Sequence, residues 1–196
     1  SVFPVALLEA ADAMTMIREH AAEWHVDPDA IAVIGFSAGG HLAANLATST
    51  SDDVLVAHGY DPDAVRPNGL MLAYPVITSG PLAHRGSFDS LLGERRNDSQ
   101  ALESVSIERH IDAKTPPVFA WHTVPDETVP YENTLMLIDA CKKAGVSIEA
   151  HLFPQGGHGL SLGTAETAWQ GVNGIEPSIQ IWPQLAVSWM RRTFAR

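Results

Sequence analysis

The chain has 196 residues, 45% of them apolar and 18% charged, which excludes a disordered chain and fits one domain with a single core. Twelve basic residues stand against 23 acidic ones for a formal charge of −11, and no basic cluster interrupts that balance, which argues against nucleic acid and anionic membrane as partners. The single cysteine, Cys141, excludes an internal disulfide and a cysteine metal site, and it falls in a helical pattern where it is expected to be packed.

No apolar run reaches transmembrane length and no leader pattern starts at Ser1, so a cytoplasmic location is the expectation. Arg95-Arg96 and Arg191-Arg192 are only pairs and read as solvated surface. The elements then follow in order. Residues 5–24 carry apolar positions at Leu7, Ala11, Met14, Ile17, Ala21 and Trp24, a helical spacing, with Pro4 suited to the first turn and Val26-Asp27-Pro28 closing it. Residues 31–36 form an apolar, β-branched strand, and 40–48 a helix of small residues. A polar loop is expected over roughly 49–68. Gly69 to Tyr74, closed by Pro75, reads as a strand buried on both faces.

Residues 76–114 are mixed, with short helical patterns around 88–92 and 99–104, and read as a lid-like excursion rather than a core element. Val118 to His122 is the next strand. Asn133 to Ala144 is a helix with Leu135, Ile138 and Lys142 aligned, stopped by Gly145. Ile148 to Phe153 is the last strand, followed by a glycine-containing loop from 155 to about 178. A closing helix over about 180–195 carries Trp182, Leu185, Ala186, Trp189 and Met190 on one face, with Pro183 in its first turn. Strands alternating with helices predict an α/β fold with a parallel sheet and right-handed crossovers.

One stretch organises the rest. Gly35-Phe36-Ser37-Ala38-Gly39 reads G-x-S-x-G between a strand and a helix, the context of a nucleophile elbow. The flanking glycines are expected because the turn leaves no room for side chains, and Ser37 is expected to be strained, at the positive end of the next helix. In open α/β sheets, sites form at the carboxyl ends of strands. Asp126 follows the third strand, and His158 the fourth, in Pro154-Gln155-Gly156-Gly157-His158-Gly159. The order Ser, Asp, His is that of the α/β-hydrolases. A serine hydroxyl needs a base, and the base needs an acid to fix its tautomer, so Ser37, His158 and Asp126 are the candidate triad. His41 and His122 compete with His158, and Glu127 and Asp112 with Asp126. Ala38 N–H is the candidate oxyanion donor. His84, Arg85 and Trp121 are candidates for substrate contacts, each with a structural role as the competing reading.

Gly35-Phe36-Ser37-Ala38-Gly39-Gly40-His41-Leu42-Ala43-Ala44 resembles the elbow of the α/β-hydrolase esterases grouped as acetyl esterase, acetylxylan esterase and Bacteroidetes-type feruloyl esterase-like proteins. The segments Ala83-His84-Arg85-Gly86-Ser87 with Leu91-Leu92-Gly93, Thr115 to Thr123, and Phe153 to Leu160 are similar to them as well. The resemblance covers nearly the whole chain. It implies an α/β-hydrolase fold, a three-layer sandwich around a parallel sheet. It also implies a Ser37, Asp126, His158 triad without metal or organic cofactor, and small carboxylic esters as substrates, often acetyl groups on sugars or aryl acetates.

One departure stands out. Members of this fold carry several strands and an H-G-G-type oxyanion loop ahead of the opening helix, and nothing in this sequence matches them. The second oxyanion donor is therefore missing, and the strand at 31–36 is expected at a sheet edge, a pairing hazard for an apolar strand. The preferred expectation is that residues 1–196 are the C-terminal portion of the fold, with a preceding segment completing the sheet. A homo-oligomer supplying the edge and a natural short form with weakened catalysis are the alternatives. Three functions compete: a serine esterase on short acyl esters, a prolyl-oligopeptidase-like peptidase, disfavoured because no propeller-like repeats occur, and a non-catalytic or weakly active binding or assembly module.

Overall fold

The computed structural model describes residues 2–169 and 174–195. Ser1, Arg196 and residues 170–173, the last within the expected glycine-containing loop, lie outside the described residues. Four parallel strands form one sheet in the order β1 (Ala32–Phe36), β2 (Gly69–Ala73), β3 (Val118–Thr123) and β4 (Ile148–Phe153). Eight α-helices connect and flank them among the described residues: α1 (Val5–Glu19), α2 (Ala38–Ala47), α3 (Asp52–Ala57), α4 (Pro62–Val65), α5 (Arg85–Leu92), α6 (Ser99–Ser104), α7 (Glu132–Ala144) and α8 (Trp182–Thr193).

The two central strands are buried throughout, and their side chains alternate between two cores. Leu70, Leu72, Val118 and Ala120 face α2 and α7, against Ala43, Ala44, Ala47, Leu137 and Cys141. Met71, Ala73, Phe119 and Trp121 face α8, against Trp182, Ala186 and Trp189. The alanines of α2 let that helix lie close over β1 and β2. Trp182, Ala186 and Trp189 recur at i, i+4, i+7, the face expected for the closing helix. α1 packs on α2 through Leu7, Ala11, Met14 and Leu46. Each large side chain fully buried in these layers contributes roughly 1.5–3 kcal/mol.

Four expectations are corrected. The first helix stops at Glu19 rather than 24, and Trp24 lies exposed with its ring stacked on His20, 5.0 Å away. His25 there takes a φ of 54°, which breaks any helical continuation. The expected polar loop at 49–68 holds two short helices. Asp61 caps α4 through Asp63 N–H with Pro62 in its first turn, and buried Arg66 ties the segment to Asp52, its Nη2 reaching both carboxylate oxygens. In α7 the buried face is Leu137 and Cys141, while Leu135 and Lys142 point to solvent. The helix ends at Gly145 as expected, with φ 74°. Within 76–114, Val76, Phe88, Leu92, Ala101 and Val105 pack together with Val129 from the loop after β3, so the region is tied to the sheet by a small core rather than being a bare excursion. Burial pushes the Cys141 thiol up to about 12.

Candidate active site

Ser37 sits between β1 and α2 with φ 53° and ψ −120°, a strained conformation for a residue with a side chain. The surroundings hold it there. Its N–H donates to Ala73 O at 3.0 Å, and its carbonyl accepts from Gly40, His41 and Val76 N–H. A Cβ on Gly35 would lie 2.2 Å from Gly39 O, so glycine is required at that position. Gly39 departs from the expectation, because a Cβ there would meet nothing within 4 Å. The close approach is made instead by Gly40, whose Cβ would lie 2.9 Å from Pro75 Cβ.

Two loops bring the partners to the serine. Ser37 Oγ lies 2.7 Å from His158 Nε2, and His158 Nδ1 lies 2.7 Å from Asp126 Oδ2. Asp126 follows β3, and its Oδ1 accepts from Thr128 and Val129 N–H, both at 2.9 Å. Its side chain is fully buried, whereas that of His158 keeps 18% exposure. Burial pushes the Asp126 carboxyl up. Hydrogen bonds from His122, His158 and Val129 N–H more than reverse this and hold it well below the usual carboxylate range.

The loop carrying His158 is pinned from several sides. Thr123 Oγ1 donates to Gly157 O at 3.0 Å, and Trp182 Nε1 to Ser161 O at 2.8 Å. Gly156 takes φ 97°, and a Cβ there would lie 2.5 Å from Leu160 Cδ1. Tyr74, at the end of β2, accepts from Ser161 N–H at 3.1 Å, and its ring meets His158 edge-on at 4.9 Å. Burial raises the pKa of its phenol. Sequence reasoning treated Tyr74 only as a strand end. The signal available was its place at the carboxyl end of a buried strand beside the serine turn.

The remaining candidates divide between the serine turn and other parts of the molecule. Ala38 is the first residue of α2, so its N–H has no partner within the helix. Trp121 is 1% exposed and stacked on Trp182 in the core, so it is a packing residue with no open face for substrate. Arg85 pairs with Asp89 on the surface, and His84 Nδ1 bonds Ser87 Oγ at 2.8 Å. Both groups are occupied inside the 76–114 unit. His41 is buried on Phe88 with Nε2 2.7 Å from Val105 O, joining α2 to that unit, and burial lowers its pKa. Beside Ala38 opens an apolar cavity of about 270 Å³, lined by Phe3, Leu7, Gly39, Leu42 and Leu91 among others. Among the described residues no three His, Cys, Asp or Glu side chains gather as metal ligands, and no helix is long and apolar enough to cross a membrane.

Comparison with known proteins places this geometry in a family. The BD-FAE family model matches residues 1–140. The chain is similar to endo-1,4-beta-xylanase B of Butyrivibrio fibrisolvens, 34% identical over 167 residues, which are 84% of this chain and 26% of that one. It is 30% identical over 153 residues to an acetylxylan esterase of Xylanibacter ruminicola, covering 76% of this chain and 30% of the relative. It thus spans between a quarter and a third of the length of these curated relatives. Among solved structures it superposes on an acetyl ester-xyloside bifunctional hydrolase from Caldicellulosiruptor lactoaceticus with a TM-score of 0.81 at 36% identity, covering 98% of this chain and 67% of the other. Carboxylesterase Cest-2923 from Lactobacillus plantarum WCFS1 gives a TM-score of 0.81 at 29% identity, covering 98% and 69%. With the matched model extending over most of its length and the parallel sheet flanked by helices on both faces, the chain belongs to the BD-FAE family of α/β hydrolases.

Proposed function

We propose that the protein is a serine carboxylesterase that cleaves short-chain, acetyl-type esters carried on carbohydrate, through an acyl-enzyme. The observation that carries this reading is the unbroken chain from Ser37 Oγ through His158 to Asp126, with 2.7 Å at both contacts. Relatives named for acetylxylan and acetyl ester-xyloside hydrolysis support the substrate class.

In this mechanism His158 Nε2 takes the proton from Ser37 Oγ as the oxygen attacks the ester carbonyl. Asp126 holds the Nδ1–H tautomer and stabilises the imidazolium that forms; its depressed pKa keeps it ionised throughout. Ala38 N–H, at the positive end of α2, faces the developing oxyanion. His158 then gives its proton to the leaving alcohol. Water, activated by the same histidine, releases the acyl group and restores Ser37.

The test is to treat the folded 196-residue chain with a fluorophosphonate probe and, in parallel, an aryl acetate, with Ser37→Ala as control. Labelling and turnover are expected in the native chain and lost in the variant. Turnover that persists in Ser37→Ala overturns the reading. A folded chain that binds acetylated xylo-oligosaccharide without labelling or turnover favours the binding-module alternative.

A further inference from the structure

A second histidine stands behind Asp126. His122, on β3, is fully buried. Its Nε2 lies 3.2 Å from Asp126 Oδ2 and 2.9 Å from Val129 O. Both are acceptors, so Nε2 carries the proton and shares it between them. Its Nδ1 lies 2.8 Å from Oγ1 of Thr134 on α7, whose hydroxyl therefore donates to the ring. The Asp126 carboxylate thus receives four donors: His122 and His158 at Oδ2, Thr128 and Val129 N–H at Oδ1. That fills the roughly four lone-pair sites a carboxylate offers.

Resting on the serine-hydrolase reading above, we infer that His122 is a positioning residue for the acid of the Ser37–His158–Asp126 set, with Thr134 fixing the tautomer that lets it do so. The two backbone donors hold Oδ1 but leave Oδ2 held only by side chains. His122 fixes Oδ2 from the buried side, so the oxygen stays on the Nδ1–H direction of His158 while the proton moves at Nε2. It also draws off part of the negative charge that His158 faces. The other titratable group set against His158 is Tyr74, which its burial keeps protonated. In the sequence His122 stands only as a competitor of His158 inside a strand, and nothing there points to a contact with Asp126.

The experiment compares His122→Phe, which keeps a ring and removes the donor, with His122→Gln, which keeps an N–H near the Nε2 position. In folded His122→Phe we expect kcat on an aryl acetate to fall about 10²-fold, with KM little changed. The acid limb of kcat/KM is expected to move to higher pH, because an uncompensated carboxylate favours the imidazolium. His122→Gln is expected to recover most of the rate and the limb. Should His122→Phe fail to fold, Thr134→Val serves: without the hydroxyl the ring can present a bare nitrogen to Asp126, giving a smaller fall in the same direction. A purely structural histidine predicts lower thermal stability with the limb unmoved and the rate of the folded fraction intact, and that result overturns the proposal. The downfield proton resonance of His158 Nδ1–H reads the same effect without turnover. It is expected to broaden in His122→Phe and to sharpen again in His122→Gln, and an unchanged resonance also overturns the proposal. Turnover persisting in Ser37→Ala, by contrast, sinks the hydrolase reading and leaves this resonance as the measure of His122.

Discussion

On one side of Ser37 the molecule is closed, and on the other it is open. The loops after β3 and β4 hold Asp126 and His158 in place with donors from Thr128, Val129, His122, Thr123 and Trp182, and the ring of Tyr74 packs edge-on against His158. Across the serine, β1 is the edge of the sheet, Ile34 is 43% exposed, and Gly39 faces empty space beside apolar cavities. On the proposed function, proton transfer belongs to the closed side, and charge stabilisation, starting at Ala38 N–H, to the open one. The two tasks would then rest on different parts of the chain and answer differently to substitution.

The largest effect is expected on the closed side. Asp126→Asn leaves the shape but removes the charge that fixes the His158 tautomer, and kcat is expected to fall about 10⁴-fold, read by aryl acetate turnover. The same variant changes acid stability. The folded carboxyl titrates below its unfolded value of about 3.9, so its contribution is present above that pH and lost as the pH falls toward the folded value. Urea unfolding at neutral and acidic pH is expected to show a shallower acid loss in Asp126→Asn. An equal loss in both proteins sinks the claim that this network holds the carboxylate.

A pair of glycine substitutions compares the sides within one turn. Gly35→Ala puts a methyl group 2.2 Å from the backbone oxygen of Gly39 and is expected to cost about 3 kcal/mol by urea unfolding. Gly39→Ala meets nothing and gains helix propensity, so up to about 1 kcal/mol of stabilisation is expected. Destabilisation by Gly39→Ala would mean that something occupies the open side in solution.

Local pattern was enough for the strands, the end of α7 and the packed face of the closing helix. The apolar runs of β2 and β3, the Gly145 stop and the i, i+4, i+7 face of α8 depend on neighbours in sequence, and each appears where expected. The positions of Ser37, Asp126 and His158 could be read for the same reason, each following a strand, and the structure brings the three within hydrogen-bond distance. What was not legible depends on contacts between distant segments. His122 becomes special only because Asp126 and Thr134 converge on it, and Tyr74 only because the loop after β4 folds back over it. For Trp121 the substrate and structural readings both stayed open, because an aromatic near a strand end looks the same whether it faces substrate or core. Gly39 read as a steric necessity because motif spacing does not say which glycine meets backbone.

The smallest effect is expected at the edge itself, and it is the most informative about what β1 pairs with. Ile34 projects from the edge strand at 43% exposure, beside a groove lined by Ala10, Val33, Leu42 and Leu46. If that edge is free, Ile34→Lys replaces an exposed side chain and changes stability by no more than about 0.5 kcal/mol. Light scattering against concentration is then expected to show less self-association than the native chain, since an edge lysine opposes strand pairing. A cost several times larger, at concentrations where the native chain is monomeric, would show that residues of the same molecule cover Ile34. A cost that appears only where the native chain associates would assign the cover to a second copy. The sign and concentration dependence of this one substitution decide whether the open side of the site is completed from within the molecule or from outside it.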